Sequence, residues 1–354
     1  MSDIPMNATA RPSLLAPAPT SRSAGHVDER LTWLDVETRD ADDAAGIQRG
    51  WMPIEYDQID AGAFSGRFRQ LGFQDMLVAA ERQNRTVLKQ QYFPSEYCTV
   101  SLIRSVSGQG RCGLDALTPG SIGYMPGDKD YEVLLPPSEI VFFRIEQERL
   151  LSAADTLGYA LPGAGRQMLF LTDLDSSGID DMAETLMSIQ RSDAAAPFAQ
   201  VDHAYLNKVM LDRIVGMLVD STARSARMPW INAHRVTRSA QALIDSQSDE
   251  PVTVMTLCEA LGVSRTLLQR SFLQIYGVSP LAYLRARRLN GARRALKAAR
   301  GTDATVAAIA MHWGFFHFAR FSQDYFQQFG EFPSATLGRG VRPKRDVRAE
   351  PKRG

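Results

Sequence analysis

Cysteine is scarce in this chain of 354 residues. Cys98, Cys112 and Cys258 are all there are, their spacing fits no metal site, and buried free thiols in a reducing cytoplasm are expected. Histidine is nearly as rare. His26, His203, His234, His312 and His317 all stand outside the region of strand-like patterning, which argues against the histidine and carboxylate cluster of a barrel metalloenzyme. No segment approaches 18 consecutive apolar residues, so no membrane-spanning helix is expected. The one early apolar run, Leu14 to Pro17, is too short for a signal peptide. No G-x-S-x-G elbow, P-loop or G-x-G-x-x-G turn occurs. Neither an enzyme nor a bound cofactor or metal is expected. Net charge is absent too, with 40 Lys+Arg against 40 Asp+Glu, but the balance conceals a split. From Pro251 onward there are 17 Lys+Arg and 6 Asp+Glu, a net +11, so the remainder is net −11. A basic nucleic-acid module joined to an acidic regulatory module would show that division.

What is present is one pattern written twice between Thr253 and Leu337. Thr253-Val254 and Thr305-Val306 each lie nine residues before a glycine, Gly262 and Gly314. A second glycine follows each, Gly277 and Gly330, and Pro280 and Pro333 stand three residues beyond. Counting back nine, five and one from the second glycine gives Leu268, Phe272 and Tyr276 in one copy, and Phe321, Tyr325 and Phe329 in the other. That spacing is one buried helical face. Each copy reads as helix, short glycine turn, helix, with Ser264 able to cap the second helix of the first copy.

The opposite face carries Thr266, Gln269, Arg270 and Gln274 in the first unit, and His317, Arg320, Gln323 and Gln327 in the second. Such side chains read base edges and phosphates in a major groove. With Ser264, Arg265 and Ala319 at the helix starts, they are the expected DNA contacts. Between the units, Ser279-Pro280 starts a helix bearing Arg285, Arg287, Arg288, Arg293, Arg294, Lys297 and Arg300. A helix of about 20 residues spans roughly 30 Å, close to the major-groove repeat, so it can serve as a rigid spacer.

The block containing "GVSRTLLQRSF" and "GFFHFARFSQDYFQQFGEFPS", roughly residues 232–338, resembles the DNA-binding domain of AraC-type (AraC/XylS) transcriptional regulators. Phe316, His317 and Phe318 depart from the family's small polar residues, and Gln323 stands where arginine is usual. The resemblance implies a regulator of transcription, an activator working with RNA polymerase. It also implies a cupin-like regulatory half that binds a small-molecule effector.

From Trp51 to Glu146 the period changes to two, in short segments such as "TVLKQQYF", "CTVSLIRSV" and "EIVFFRIE" separated by turn residues. An antiparallel barrel or double-sheet roll is expected. Its interior is the expected effector pocket, with Tyr92, Tyr97, Tyr124, Tyr131 and Phe142 as candidate lining. Helical patterning returns after Glu146, and the longest segment, Val201 to Val219, has an apolar face wider than docking requires. Tyr205, Met210, Ile214 and Met217 on that face are the expected seam of a homodimer.

The fold class expected is thus α+β in two domains: an N-terminal antiparallel β-barrel with flanking helices, and a C-terminal all-α double helix-turn-helix. The boundaries read as a disordered leader at 1–28, a regulatory barrel at 29–178, a helical linker and possible seam at 179–228, a DNA-binding domain at 229–338 and a basic disordered tail at 339–354. The function expected is a cytoplasmic, sequence-specific, effector-responsive regulator of duplex DNA. The alternative is a ligand-binding barrel protein or cupin-type enzyme whose helical domain makes only protein contacts.

Overall fold

Alternating burial along short strands builds two face-to-face layers, in a computed structural model that describes residues 32–73, 76–159, 161, 165, 167–172, 175–189, 203–220, 231–246 and 252–338. The expected leader, the linker before residue 231 and the basic tail lie outside the described residues. The strands are β1 (Thr32–Thr38), β2 (Ile54–Gln58), β3 (Gly66–Phe73), β4 (Met76–Gln83), β5 (Val87–Phe93), β6 (Tyr97–Val106), β7 (Gly110–Cys112), β8 (Asp115–Leu117), β9 (Ile122–Met125), β10 (Lys129–Leu135), β11 (Ser138–Glu146) and β12 (Leu169–Leu171). Among the described residues they form a seven-stranded sheet, β1-β3-β4-β11-β6-β9-β12, and a five-stranded sheet, β2-β5-β10-β7-β8. Every pairing is antiparallel.

The expected closed barrel is not formed. Closure requires edge strands of one sheet to pair with those of the other, and here β1, β12, β2 and β8 each pair only within their own sheet. Three-residue edge strands such as β8 and β12 limit the exposed hydrogen-bonding edge instead. The double-sheet alternative is the one observed.

Four layers result. Helices α2 (Gln147–Thr156), α3 (Ser177–Ile189) and α4 (His203–Asp220) cover the outer face of the larger sheet, where Val78, Val141 and Phe143 meet Leu150, Ala183 and Met210. Between the sheets lie Tyr56, Val87, Phe93, Ile103, Tyr131 and Val133, together with alanines of α1 (Ala41–Gln48). On the outer face of the smaller sheet, Leu88 and Leu134 share a core with the C-terminal helices α5 (Ile231–Ser246), α6 (Val254–Leu261), α7 (Arg265–Tyr276) and the start of α8 (Pro280–Ala298). A separate core joins the rest of α8 to α9 (Val306–His312) and α10 (Phe318–Phe329). The short helix α11 (Pro333–Thr336) follows.

The basic face of α8 does not point at solvent as a run of arginines suggests. Arg287 pairs with Asp57 of β2 and, at 2.6 Å, with Asp245 of α5. Arg294 pairs with the same Asp57 at 2.8 Å. Arg293 pairs with Asp40, the N-cap of α1, and with Glu331 at 2.9 Å. Lys297 reaches Asp40, Asp42 and Asp43, the last at 2.5 Å. Neutral bonds complete the seam: Asn290 Nδ2 donates to Gln58 O at 2.9 Å, Asn290 Oδ1 accepts from Gln58 N at 3.1 Å, and Gln58 Nε2 donates to Gln328 O at 2.7 Å. Asp57 is only 1% exposed, so it requires these cations. Asp40, Asp42 and Asp43 stand close enough to share a metal ion, but Lys297 and Arg293 already occupy their charge.

The proposed dimer seam is corrected by the packing of α4. Met210 and Ile214 are fully buried against the larger sheet, Met217 packs on the same core, and only Tyr205, at 67%, is exposed. The wide apolar face is spent within the protomer, because it meets both the sheet and α2. Met210→Ala should therefore cost roughly 2–5 kcal/mol in chemical denaturation and leave the elution volume unchanged; a seam residue would give the reverse result.

Asp40 supplies a pH dependence. Burial alone would raise its carboxyl, but Arg293 and Lys297 outweigh burial and hold it below the ordinary aspartate value of 3.8. With the folded value depressed, its stabilisation is present above the unfolded value and lost as pH falls through the folded one. Below about pH 4 the full chain should lose stability faster than an Asp40→Asn variant, as followed by thermal unfolding across a pH series.

Candidate functional site

The two helix-turn-helix units form through the caps that the repeat announces. Thr253 caps α6, its hydroxyl accepting from Thr256 N at 3.1 Å, and Thr305 does the same for α9 from Ala308 N at 3.1 Å. Gly262, at φ 61°, ends α6 in the left-handed region that only glycine enters freely. Ser264 Oγ then accepts from Leu267 N at 3.2 Å to start α7. In the second unit His317 holds the N-cap position of α10 without a side-chain bond.

Burial sorts each second helix into two faces. Leu268, Phe272 and Tyr276 are buried on α7, as are Phe321, Tyr325 and Phe329 on α10. Ser264, Arg265, Thr266, Gln269 and Arg270 are exposed; so are His317, Ala319, Arg320, Gln323 and Gln327. Gln274 is the exception. It is half-buried where α7 meets the smaller sheet, beside Ile275 and Tyr276, and Ile275 O accepts from the Arg111 Nε at 2.8 Å. Its position one turn nearer the C-terminus puts it against the other domain rather than on the free face.

Arg265 and Gln269 from one unit and His317 and Arg320 from the other line a single groove of about 720 Å³. Sequence reasoning assigned no contact to Arg285 and Arg288 of α8, which lie on its floor, or to Phe316, 69% exposed at its rim. Arg285 pairs with Asp324, and burial together with the Arg320 guanidinium pushes it below its ordinary value. Arg265, Arg285, Arg288 and Arg320 against the one carboxylate of Asp324 make the groove electropositive. The signal that was available for the two α8 arginines was their helical phase, opposite Arg287 and Arg294.

A helix-turn-helix domain family matches residues 257–339. The chain is 34% identical over 102 residues to a probable thc operon regulatory protein of Rhodococcus erythropolis, covering 29% of this chain and 31% of that one. It is 32% identical over 96 residues to XylDLEGF operon transcriptional activator 3 of Pseudomonas putida, covering 27% and 29%. A solved structure, a probable AraC family transcriptional regulator from Rhodopseudomonas palustris, is 32% identical and matches 30% of this chain and 96% of its own, with a TM-score of 0.28. Residues 257–339 form an AraC-family helix-turn-helix domain. It spans about a third of the length of the curated relatives it matches.

Outside the AraC-type domain, the space between the sheets holds a cavity of about 70 Å³. Of the five aromatic residues expected to line it, Phe142 does. Tyr97 stacks on a lining residue, with the Arg144 guanidinium 4.3 Å from its ring centroid. Tyr92 bonds Asp128 at 2.9 Å near the surface. Tyr124 donates to Gly165 O at 2.5 Å in the outer core, and Tyr131 donates to Pro126 O at 2.8 Å. Tyr92 and Tyr124 thus lie away from the cavity, and Tyr131, though between the sheets, packs behind the lining residue Phe93 with its hydroxyl turned to the backbone. The sequence reading missed the polar lining. Glu81 accepts from Lys89 at 2.7 Å and from Tyr56 at 2.9 Å, and Gln48 Nε2 donates to Tyr56 at 2.8 Å. Burial lowers Lys89, with Glu81 opposing. Cys112 also faces the cavity, its thiol pushed up to about 12 by burial and so unreactive.

Gly291 sets how the second unit of the AraC-type domain meets α8. A side-chain carbon there would lie 2.2 Å from the Trp313 ring, so the ring or α9 would have to shift. Gly291→Ala should cost about 1–3 kcal/mol in urea denaturation by displacing α9; an unchanged midpoint would show that Trp313 is not held there.

Proposed function

We propose that the protein is a sequence-specific DNA-binding transcription regulator, an activator that works with RNA polymerase in the cytoplasm and answers to a small molecule bound between its sheets. One observation carries the reading: two helix-turn-helix units bury one face of α7 and α10 and leave the polar faces free, with Arg265, Gln269, His317 and Arg320 bordering one electropositive groove. Forked donors at those places suit guanine and adenine edges, and the start of a second helix entering a major groove is where base contacts are made. The exposed Phe316 suits a thymine methyl. The names of the relatives, an operon regulatory protein and an operon activator, agree with this assignment.

The contact between domains supplies a route from ligand to DNA. Neighbouring residues of β2 serve both ends: Tyr56 belongs to the cavity network and Asp57 to the pairs with Arg287 and Arg294. Helix α1 repeats the arrangement, with Gln48 at the cavity and Asp40 on Arg293. A ligand that shifts either element is felt at α8, the helix between the two reading units. Pairing of two copies, where it occurs, uses a surface other than the buried face of α4.

Fluorescence anisotropy with fragments of the chain's own promoter tests the assignment. Arg270→Ala and Arg320→Ala should each cost about 1–3 kcal/mol of specific binding and change binding to random duplex little. Equal weakening on both duplexes would make these arginines phosphate contacts, and failure of the wild type to bind any duplex would overturn the reading.

A further inference from the structure

The cavity between the sheets contains a cation without a counter-charge. Arg144 of β11 lies between Trp51 and Tyr97, its guanidinium 5.4 and 4.3 Å from their ring centroids. Its Nε is buried and has no hydrogen-bond acceptor, and among the described residues no carboxylate pairs with it. The other cation lining the cavity, Lys89, is already neutralised by Glu81 at 2.7 Å. Burial, opposed by Tyr97, lowers the Arg144 guanidinium below its ordinary value, though arginine stays charged in a protein. A part-buried charge with an unanswered donor is costly, and a fold retains one where something else satisfies it.

Three further lining residues point the same way. Gln91, Thr99 and Ser101 are buried between the sheets and turn polar side chains to the same cavity. Thr99 stands directly across from Arg144 in the β6–β11 register, and Ser101 follows on the same face. The Thr99 and Ser101 hydroxyls and the Arg144 guanidinium thus share the wall made by the larger sheet, with Gln91 on the smaller sheet, while Phe93, Ile103 and Phe142 supply apolar surface.

We propose that this cavity binds a small monocarboxylate, its carboxylate paired with Arg144 and hydrogen-bonded by Thr99 or Ser101, its compact apolar body against Phe93, Ile103 and Phe142. A planar carboxylate matches the two-pronged donor geometry of a guanidinium. A phosphate dianion would bring two negative charges to one cation, and a neutral polyol would leave the guanidinium unpaired. The role of this ligand as effector rests on the regulatory reading above; its binding does not.

Thermal unfolding of the full chain with acetate, isobutyrate or benzoate, each against its amide at matched ionic strength, tests the site. Isobutyrate or benzoate should raise the midpoint in a saturable way, since a ligand held by the folded state alone stabilises it, and the amides should not. Arg144→Gln should lose roughly 10- to 100-fold in affinity and Arg144→Lys less. Should Arg144→Gln fail to fold by circular dichroism, Thr99→Val, which keeps the shape and drops one hydroxyl, should still weaken binding several-fold. Equal stabilisation by the amides, undiminished affinity in the Arg144 variants, or no shift with any of the three carboxylates would overturn the proposal. Promoter binding with and without the bound carboxylate separates the two readings: a carboxylate that binds without changing DNA affinity upholds the site and overturns the effector role.

Discussion

The buried carboxylate of Asp57 is the group on which the arrangement of the molecule depends. It sits on the outer face of the smaller sheet, out of reach of water, and is answered by Arg287 and Arg294 from one face of α8. Ion pairs of this kind add little net stability, because desolvation offsets most of the attraction, but breaking one by removing a partner costs about 3–5 kcal/mol. Their effect is therefore to fix position. With Asp40 on Arg293 and Lys297 at the other end of the same helix, α8 is held at two places and cannot slide along the sheet.

That constraint decides which surfaces remain free. The arginines of α8 that face Asp57 and Asp40 are unavailable to nucleic acid, whereas Arg285 and Arg288, turned the other way, line the groove between the units. The first unit shares its core with Leu88 and Leu134 of the sheet, and the second is tied to the loop after β2 through Gln328. The exposed faces of α7 and α10 lie away from these contacts, and the cavity between the sheets lies on the other side of β2. One strand thus separates the internal site from the helix that links the two candidate reading surfaces.

Much of the candidate interface was legible in the sequence because its determinants are local. The buried triads Leu268, Phe272, Tyr276 and Phe321, Tyr325, Phe329 follow from helical periodicity, and the exposure of Arg270 or Gln323 follows from being on the other face. Gln274 was misplaced because periodicity does not know that a second domain covers the end of α7. The charge split between the halves was visible too, yet part of it is neutralised within the molecule rather than offered to DNA. The cavity was least legible: aromatic residues were the expected lining, while its chemistry resides in Arg144, Lys89, Glu81 and three small polar side chains scattered over four strands.

By itself the sequence determined the elements and their faces: twin caps at Thr253 and Thr305, turn glycines at Gly262 and Gly314, and the period-two strands from β3 to β11. These are matters of propensity and pattern within about a dozen neighbouring residues. Tertiary structure alone decided that the strands form two open sheets rather than a closed barrel, that the apolar face of α4 is consumed within one protomer, and that α8 turns its arginines inward. Those outcomes rest on pairings between residues far apart in the chain, such as Asp57 with Arg287 or Asp40 with Arg293. No local pattern records which distant charge, edge strand or apolar stripe a given residue will meet.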